Sequence, residues 1–353
     1  MTSPDLTTAP TPPASDPSRP GRRLDFGSFW DTWGITSVLV LLVLVAVATT
    51  PDFLAISNLQ SILRESAYLG IVACAMTVLI INGAFDLSVG GQLALVSVLT
   101  LFAYGVGGTG LAVVTALAAG TACGMVNGFL VTALRVPPFV ATLGMLFVFR
   151  GIAYLLTQNG PATLPYTEVD SPFAQIGSLN LALVPFPFVL MVVVFGLAYV
   201  LLRRTPTGRR IVAFGSSPVA ARFSGVSAAR IRFVVFALVG LAVGIATLTY
   251  ITRVWTADGA AQDGFELSVI TAAVLGGASL QGGRGSLVGT FSAVLLVTVL
   301  NDVLVAHGVD ASYQNIILGT VLIIALAIDG LRTRFAGVNL LRRSFGPRTP
   351  KAA

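Results

Sequence analysis

Charge is what this sequence has least of. Asp, Glu, Lys and Arg make up 10% of its 353 residues, where soluble domains carry about a quarter. A soluble fold of this length exposes too much surface to manage with so little charge. Histidine occurs once, as His307, and cysteine twice, as Cys74 and Cys123. One histidine excludes a histidine-built zinc site, and two cysteines inside apolar runs give neither a disulfide framework nor a metal spacing. Lysine also occurs once, at Lys351. That excludes a phosphate-binding P-loop, which needs a lysine directly after its second glycine. No Gly-x-Ser-x-Gly element is present, and His307, at a span boundary, is a poor general base, so an intramembrane hydrolase has no support.

What is abundant is apolar length. Residues of the AVILMFWYC set account for 55%, with 37 glycines besides, and mean hydropathy is +0.88. Runs such as Val38–Thr50 and Phe188–Leu202 hold no charged residue. Such a chain belongs in a bilayer, and at about twenty residues per crossing its length allows some ten helices. The apolar runs place them near 34–50, 67–82, 89–106, 111–134, 138–157, 181–202, 231–251, 265–280, 286–305 and 314–331. The expected fold class is therefore all-α, a polytopic helical membrane protein.

The formal charge of +6 would suit nucleic acid only if it formed a stripe or a face. It sits at span ends instead. With the amino terminus inside, eighteen of the twenty-one basic residues fall inside, Arg64 and Arg253 fall outside, and Arg150 falls within a span. Both termini are accordingly expected in the cytoplasm. Residues 1–33, rich in Pro, Thr, Ser and Asp, read as a disordered cytoplasmic tail. Residues 34–335 read as the transmembrane domain and 336–353 as a basic cytoplasmic tail. Arg22 and Arg23, followed by an apolar run through Ala46-Val47-Ala48, imitate a secretory signal. The length of the tail and the many later spans favour a retained first helix.

Small-residue ladders, Gly120-x3-Gly124-x3-Gly128 and Gly240-x3-Gly244, suit close helix approach in lipid and are read as packing. Three other segments are stranger. Asn82-Gly83-Ala84-Phe85-Asp86-Leu87-Ser88-Val89-Gly90-Gly91-Gln92 separates two apolar runs with glycines, a carboxylate and two amides, yet has no Lys or Arg. It is either a broken helix lining a cavity or a tight turn in which Asp86 or Ser88 caps the next helix. Leu275-Gly276-Gly277-Ala278-Ser279-Leu280-Gln281-Gly282-Gly283-Arg284-Gly285-Ser286 reads as a hinge or re-entrant turn. The longest basic loop, 203–230, contains Ser217, Pro218 and Gly225, which suit the cap, first position and stop of a two-turn helix outside the bilayer. A solvated loop explains its arginines but not a capped helix carrying Phe223. A docking element for a cytoplasmic partner explains both.

Arg150 is the isolated charge, and a mid-span arginine costs about 2.5–3.5 kcal/mol on insertion scales. It snorkels outward, pairs with a carboxylate such as Asp86, or faces a watered path. Asn127 and Asn301 read as helix–helix hydrogen-bonding residues. For an ion-coupled carrier, acidic or histidine relays in mid-span would be expected, and only Asp86 offers itself.

Together these segments resemble one family. Residues 82–90, Pro137-Pro138-Phe139-Val140-Ala141-Thr142-Leu143-Gly144-Met145 with Arg150-Gly151, and Val274 to Gly285 are similar to motifs of the permease subunits of ribose-type ABC sugar importers. The likeness runs from about residue 34 to 335. Asn301 is followed by Asp302 where the family usually has Gly. The resemblance implies a bacterial inner-membrane permease working as a dimer, most simply a homodimer. It implies two ATPase subunits docked inside, which use ATP and Mg, and a soluble sugar-binding protein delivering substrate outside. It implies no cofactor on this chain and no enzymatic activity of its own. It also places the ATPase coupling helix in the 203–230 loop, with Gly208, Arg209, Gly215, Ser217, Pro218, Ala220, Ala221 and Gly225 as its residues. Gly83, Gly90, Gly276, Gly277, Gly282, Gly283 and Gly285 become hinge or gating glycines. Asn82, Asp86, Ser88, Gln92, Arg150 and Ser279 become candidates for the substrate path. Amides, hydroxyls and backbone without a cationic cluster suit a neutral, hydroxyl-rich solute, a pentose or hexose. The alternatives are a nucleoside or other hydroxylated small molecule, or an ion-coupled secondary transporter.

Overall fold

The computed structural model describes residues 26–158, 160–164, 168, 170–223, 227–310, 312–314, 316–324 and 327. The basic tail at 336–353, most of the 1–33 tail, Gly225 and the end of the 314–331 span lie outside the described residues. Helices follow one another as α1 (Phe26–Thr49), α2 (Ile56–Ile81), α3 (Val89–Thr132), α4 (Pro138–Leu156), α5 (Pro172–Ser178), α6 (Phe186–Arg204), α7 (Pro206–Ser216), α8 (Pro218–Phe223), α9 (Ala228–Val254), α10 (Phe265–Leu275) and α11 (Leu287–Ala306). A further apolar helix, α12, covers Ser312–Ile324.

Local chemistry sets many of the starts. Pro138, Pro206 and Pro172 occupy first helical positions, where their missing N–H costs nothing. Thr205, Ser286 and Ser171 accept from the N–H groups of Gly208, Gly289 and Ala174 at 3.1, 3.0 and 3.2 Å. Each satisfies one of the donors that a helix start leaves unpaired.

Among the described residues six helices, α2, α3, α4, α6, α9 and α11, are long and apolar enough to cross a membrane. Two of them, and the shorter α10, differ from the sequence expectation in informative ways. Helix α2 begins at Ile56 rather than 67, because Arg64 and Glu65 are carried on its outer turns instead of ending it. Helix α3 has 44 residues, about 66 Å at 1.5 Å per residue, twice the hydrocarbon thickness. It breaks at Gly107 (φ −138°) and Gly108 (φ +65°), so the two expected spans are its two limbs. Helix α10 corrects the expected span at 265–280: it stops at Leu275 after 11 residues, about 16 Å, which is half a bilayer.

Helix α2 is the axis of the bundle. Apart from Ala75, every residue from Ser66 to Ile81 is buried. Thr77 and Thr290 join it to α11 through a buried hydroxyl pair at 2.8 Å. The two glycine ladders turn out to face each other. A Cβ on Gly120 would lie 2.5 Å from the Gly240 carbonyl oxygen and 2.7 Å from the Gly244 nitrogen. Backbone therefore meets backbone between the second limb of α3 and α9. On the perimeter Leu41, Phe147, Leu155 and Leu197 are each more than 60% exposed. In water so many bare apolar side chains would be a liability; in lipid they are the solvent-matched surface.

The end of the bundle away from α7 and α8 is tied by short links. Ala162–Thr163 pairs antiparallel with Thr256–Ala257, the Tyr104 hydroxyl donates to Glu168 at 2.6 Å, and Tyr104 stacks on Phe173.

Candidate functional site

The three unusual segments converge. At the end of α2 the Ile81 carbonyl accepts from the Gly283 N–H at 2.8 Å. Gly215, on α7, lies against the same Ile81 carbonyl and the Gly283 nitrogen. A Cβ on Gly282 would come within 2.9 Å of the Gly215 carbonyl and 3.0 Å of the Gly83 Cα. Gly283 needs to be glycine twice over: its φ of +76° is left-handed, and Ser216 fills the space beside it. The Asn82 amide donates to the Ile211 carbonyl of α7 at 3.5 Å. The first, second and third segments thus touch at one point.

Deeper in, the break between α2 and α3 is organised around Asp86. Its Oδ1 accepts from the Ser88 N–H at 2.8 Å and the Ser88 hydroxyl at 2.6 Å. Its Oδ2 accepts from Gln92 at 3.0 Å and Asn127 at 2.9 Å. The Ser88 hydroxyl oxygen in turn accepts from Gln92 at 2.8 Å and Asn127 at 2.7 Å. Asp86, Ser88, Gln92 and Asn127 are all fully buried. Among the described residues no cation comes within ion-pair distance of Asp86; four donors hold it instead. The Asp86–Ser88 bonds form an Asx-type turn, and Ser88 makes no side-chain cap on α3. Of the sequence-expected path residues, Asp86, Ser88 and Gln92 therefore form one knot that Asn127 completes, while Asn82 bonds instead to Ile211 on α7. Ser279 stands apart in the turn after α10, where its N–H donates to the Arg284 carbonyl at 3.1 Å.

The expected basic loop is two helices rather than one. Helix α7 buries Gly208, Ile211, Phe214 and Gly215. Its signature, Thr205 as cap and Pro206 at the first position, was present in the sequence and is the signal that periodicity alone overlooks. Helix α8 begins at Pro218, and Ser217 accepts from the Ala220 N–H at 3.3 Å. Val219 and Phe223, one turn apart, are 67% and 89% exposed, whereas Ala221 is buried. Arg232 lies over the Phe214 ring at 5.0 Å, fastening α7 to α9.

Arg150 does not meet Asp86. Its Nη1 donates to Asp263, in the loop before α10. Glu266, 8% exposed in the first turn of α10, lies beside the same place: a Cβ on Gly90 would run into the Glu266 carboxylate and come within 3.3 Å of Arg150 Nη2. Asp263 and Glu266 were missed by the sequence reading. The signal was there, since Glu266 is the one charge in the apolar run 265–280, just as Arg150 is in its own.

Apolar helices interrupted by a buried polar break and a half-length helix, and mounted on short surface helices, are the build of a membrane transport protein. The chain belongs to the family of branched-chain amino acid transport system permease components, whose model matches residues 58–326. It is 38% identical over 296 residues to the ribose import permease protein of Escherichia coli, covering 83% of this chain and 92% of that one. It is 36% identical over 310 residues to the ribose import permease protein of Bacillus subtilis, covering 87% and 95%. It is 33% identical over 300 residues to the fructose import permease protein of Rhizobium meliloti, covering 83% of each. No solved structure matches the chain. It is thus a multi-pass protein of the bacterial inner membrane and the permease component of a transport system.

Proposed function

We propose that this chain is the membrane-spanning subunit of an ATP-driven importer of a neutral, hydroxyl-rich solute, a pentose or hexose, moved inward by alternating access. The observation that carries the reading is the mechanical link at Gly215. Helix α8 presents Val219 and Phe223 outward on a short capped element. Through α7 it abuts Ile81 and Gly283, where the broken α2 and the turn after α10 end. A displacement imposed on α8 from outside the bilayer reaches both breaks without passing through a flexible loop.

In this reading two copies of the chain, as a homodimer, carry two ATPase subunits on their α8 helices. ATP and Mg2+ are bound by those partners, and this chain binds no cofactor. An extracytoplasmic receptor delivers the sugar. Ten membrane-inserted segments, with α10 as a half-span and both termini cytoplasmic, complete the arrangement; the distribution of arginines supports it. The names of the relatives, ribose and fructose import permease proteins, support a sugar over a branched-chain amino acid.

The test has two arms. Proteoliposomes holding this chain and its ATPase, supplied with the receptor, should import sugar with enclosed ATP and no ion gradient. Uptake that needs a gradient and ignores ATP would establish the secondary-transporter alternative. In the second arm the receptor is screened by thermal shift against sugars, polyols, nucleosides and amino acids. Stabilisation by an amino acid alone would overturn the sugar assignment.

A further inference from the structure

Among the described residues Glu266 is the one buried charge besides Asp86, and Arg150 lies close to it. Arg150 lies twelve residues along α4, about 18 Å from its start, and its side chain is 14% exposed. One of its nitrogens is taken by Asp263, but Nε and Nη2 are buried with no hydrogen-bond partner, as is Oε2 of Glu266. Orphaned groups of this kind are costly and rare, and in native proteins they mark places kept for something other than stability. Glu266 sits at the start of a half-length helix whose amino end, Gly264, has no side-chain cap. In broken-helix transporters such ends, lodged partway through the bilayer, face the cargo.

The donor set has a definite chemistry. Two guanidinium nitrogens and one carboxylate oxygen, all unpaired, offer donors and an acceptor, with Nη2 and Oε2 both beside the place a Cβ on Gly90 would take. Arg150 and Glu266 carry opposite charges, so once the loop bearing Asp263 is displaced the pair is neutral overall and suits a neutral ligand that both gives and takes hydrogen bonds. Vicinal hydroxyls do that; a carboxylate or phosphate would meet Glu266 as a like charge. Asp263 is 78% exposed and belongs to the 258–264 loop that leads into α10.

We propose that Arg150 and Glu266 form the permease's own substrate-contact site, which takes vicinal hydroxyls of the sugar once the 258–264 loop moves aside. The proposal rests on the sugar-importer reading and deepens it. Wild-type complex in proteoliposomes is first offered D-ribose, D-fructose and L-arabinose; import of none of them counts against the importer reading itself. With whichever sugar is imported, uptake is then compared with its monodeoxy analogues at saturating receptor loading, for wild type, Glu266→Gln and Arg150→Lys. Removing one hydroxyl should cut wild-type uptake about tenfold to a hundredfold, the range expected of a bond to a charged group. The variants should transport the parent sugar that much more slowly and no longer distinguish it from that analogue. Receptor-stimulated ATP hydrolysis should persist in them, since α7 and α8 are untouched. Equal loss for the parent and every analogue, or no loss at all, would overturn the proposal. Arg150→Lys keeps the charge and loses the fork, so it remains informative if Glu266→Gln fails to insert.

Discussion

Replacing Asn127 with alanine cuts two bonds at once: one to Asp86 Oδ2 at 2.9 Å and one to the Ser88 hydroxyl at 2.7 Å. A hydrogen bond to a charged group contributes about 1.5–3 kcal/mol and a neutral one about 0.5–1.5. Asp86 keeps its three other donors, so no unpaired charge is created and the loss should stay near 2–4 kcal/mol. For domains of 150–250 residues 1 kcal/mol corresponds to roughly 2–4 °C, and less for a longer chain. A fall of about 4–8 °C in the midpoint of thermal unfolding in detergent is therefore expected. Asp86→Asn supplies the control. An amide presents one acceptor where the knot offers two pairs of donors, so this variant also loses stability. Because both changes act on the same knot, the double variant should cost less than the sum, with a coupling of about 0.5–3 kcal/mol. A shift under 1 °C for Asn127→Ala, or strict additivity in the double variant, would refute the account of Asp86 as held by neighbours rather than by a cation.

Three further outcomes can be checked directly. Phe223→Asp, on the exposed side of α8, should abolish receptor-stimulated ATP hydrolysis while leaving membrane insertion intact; Ala221→Asp, on the buried side, should lower expression instead. Gly283→Ala should uncouple ATP hydrolysis from uptake, since its Cβ meets Ser216 and the left-handed backbone strains it, at about 1–3 kcal/mol; normal sugar moved per ATP would count against the Gly215–Gly283 link. Single cysteines in 203–230 should resist an impermeant thiol reagent applied outside, while those in 170–180 should label. Cys74 and Cys123 are buried and should contribute little background, and a reversed pattern would invert the proposed topology.

Much of this was legible in the sequence, and the misses have physical reasons. Apolar length fixed most spans, because a bilayer imposes one length scale on every crossing helix. It misjudged α10, because an apolar run does not say how deep its helix begins; the loop before Phe265 carries the chain inward first. The three glycine-bearing segments stood out by composition, yet nothing local said that Gly83, Gly215 and Gly282 would meet. The partner of Arg150 was equally invisible, since Asp263 lies more than a hundred residues away and on a loop. The capped α8 was readable because Ser217 and Pro218 act on their own neighbours. Helix α7 was hidden by its arginines, which read as loop until Ile211 and Phe214 are seen to face inward.

The seam at Gly120, Gly124, Gly240 and Gly244 divides the molecule mechanically. Where side chains separate two helices, rotamer changes let them slide. Here a carbonyl of each helix lies in the groove of the other, and a shift of an ångström along the axis drives backbone into backbone. The second limb of α3 and α9 must move as a single beam. Any rocking that carries cargo inward has to pivot around that beam, and the compliance must reside in what it does not clamp: the Asp86 break, α10 and the turn that follows it.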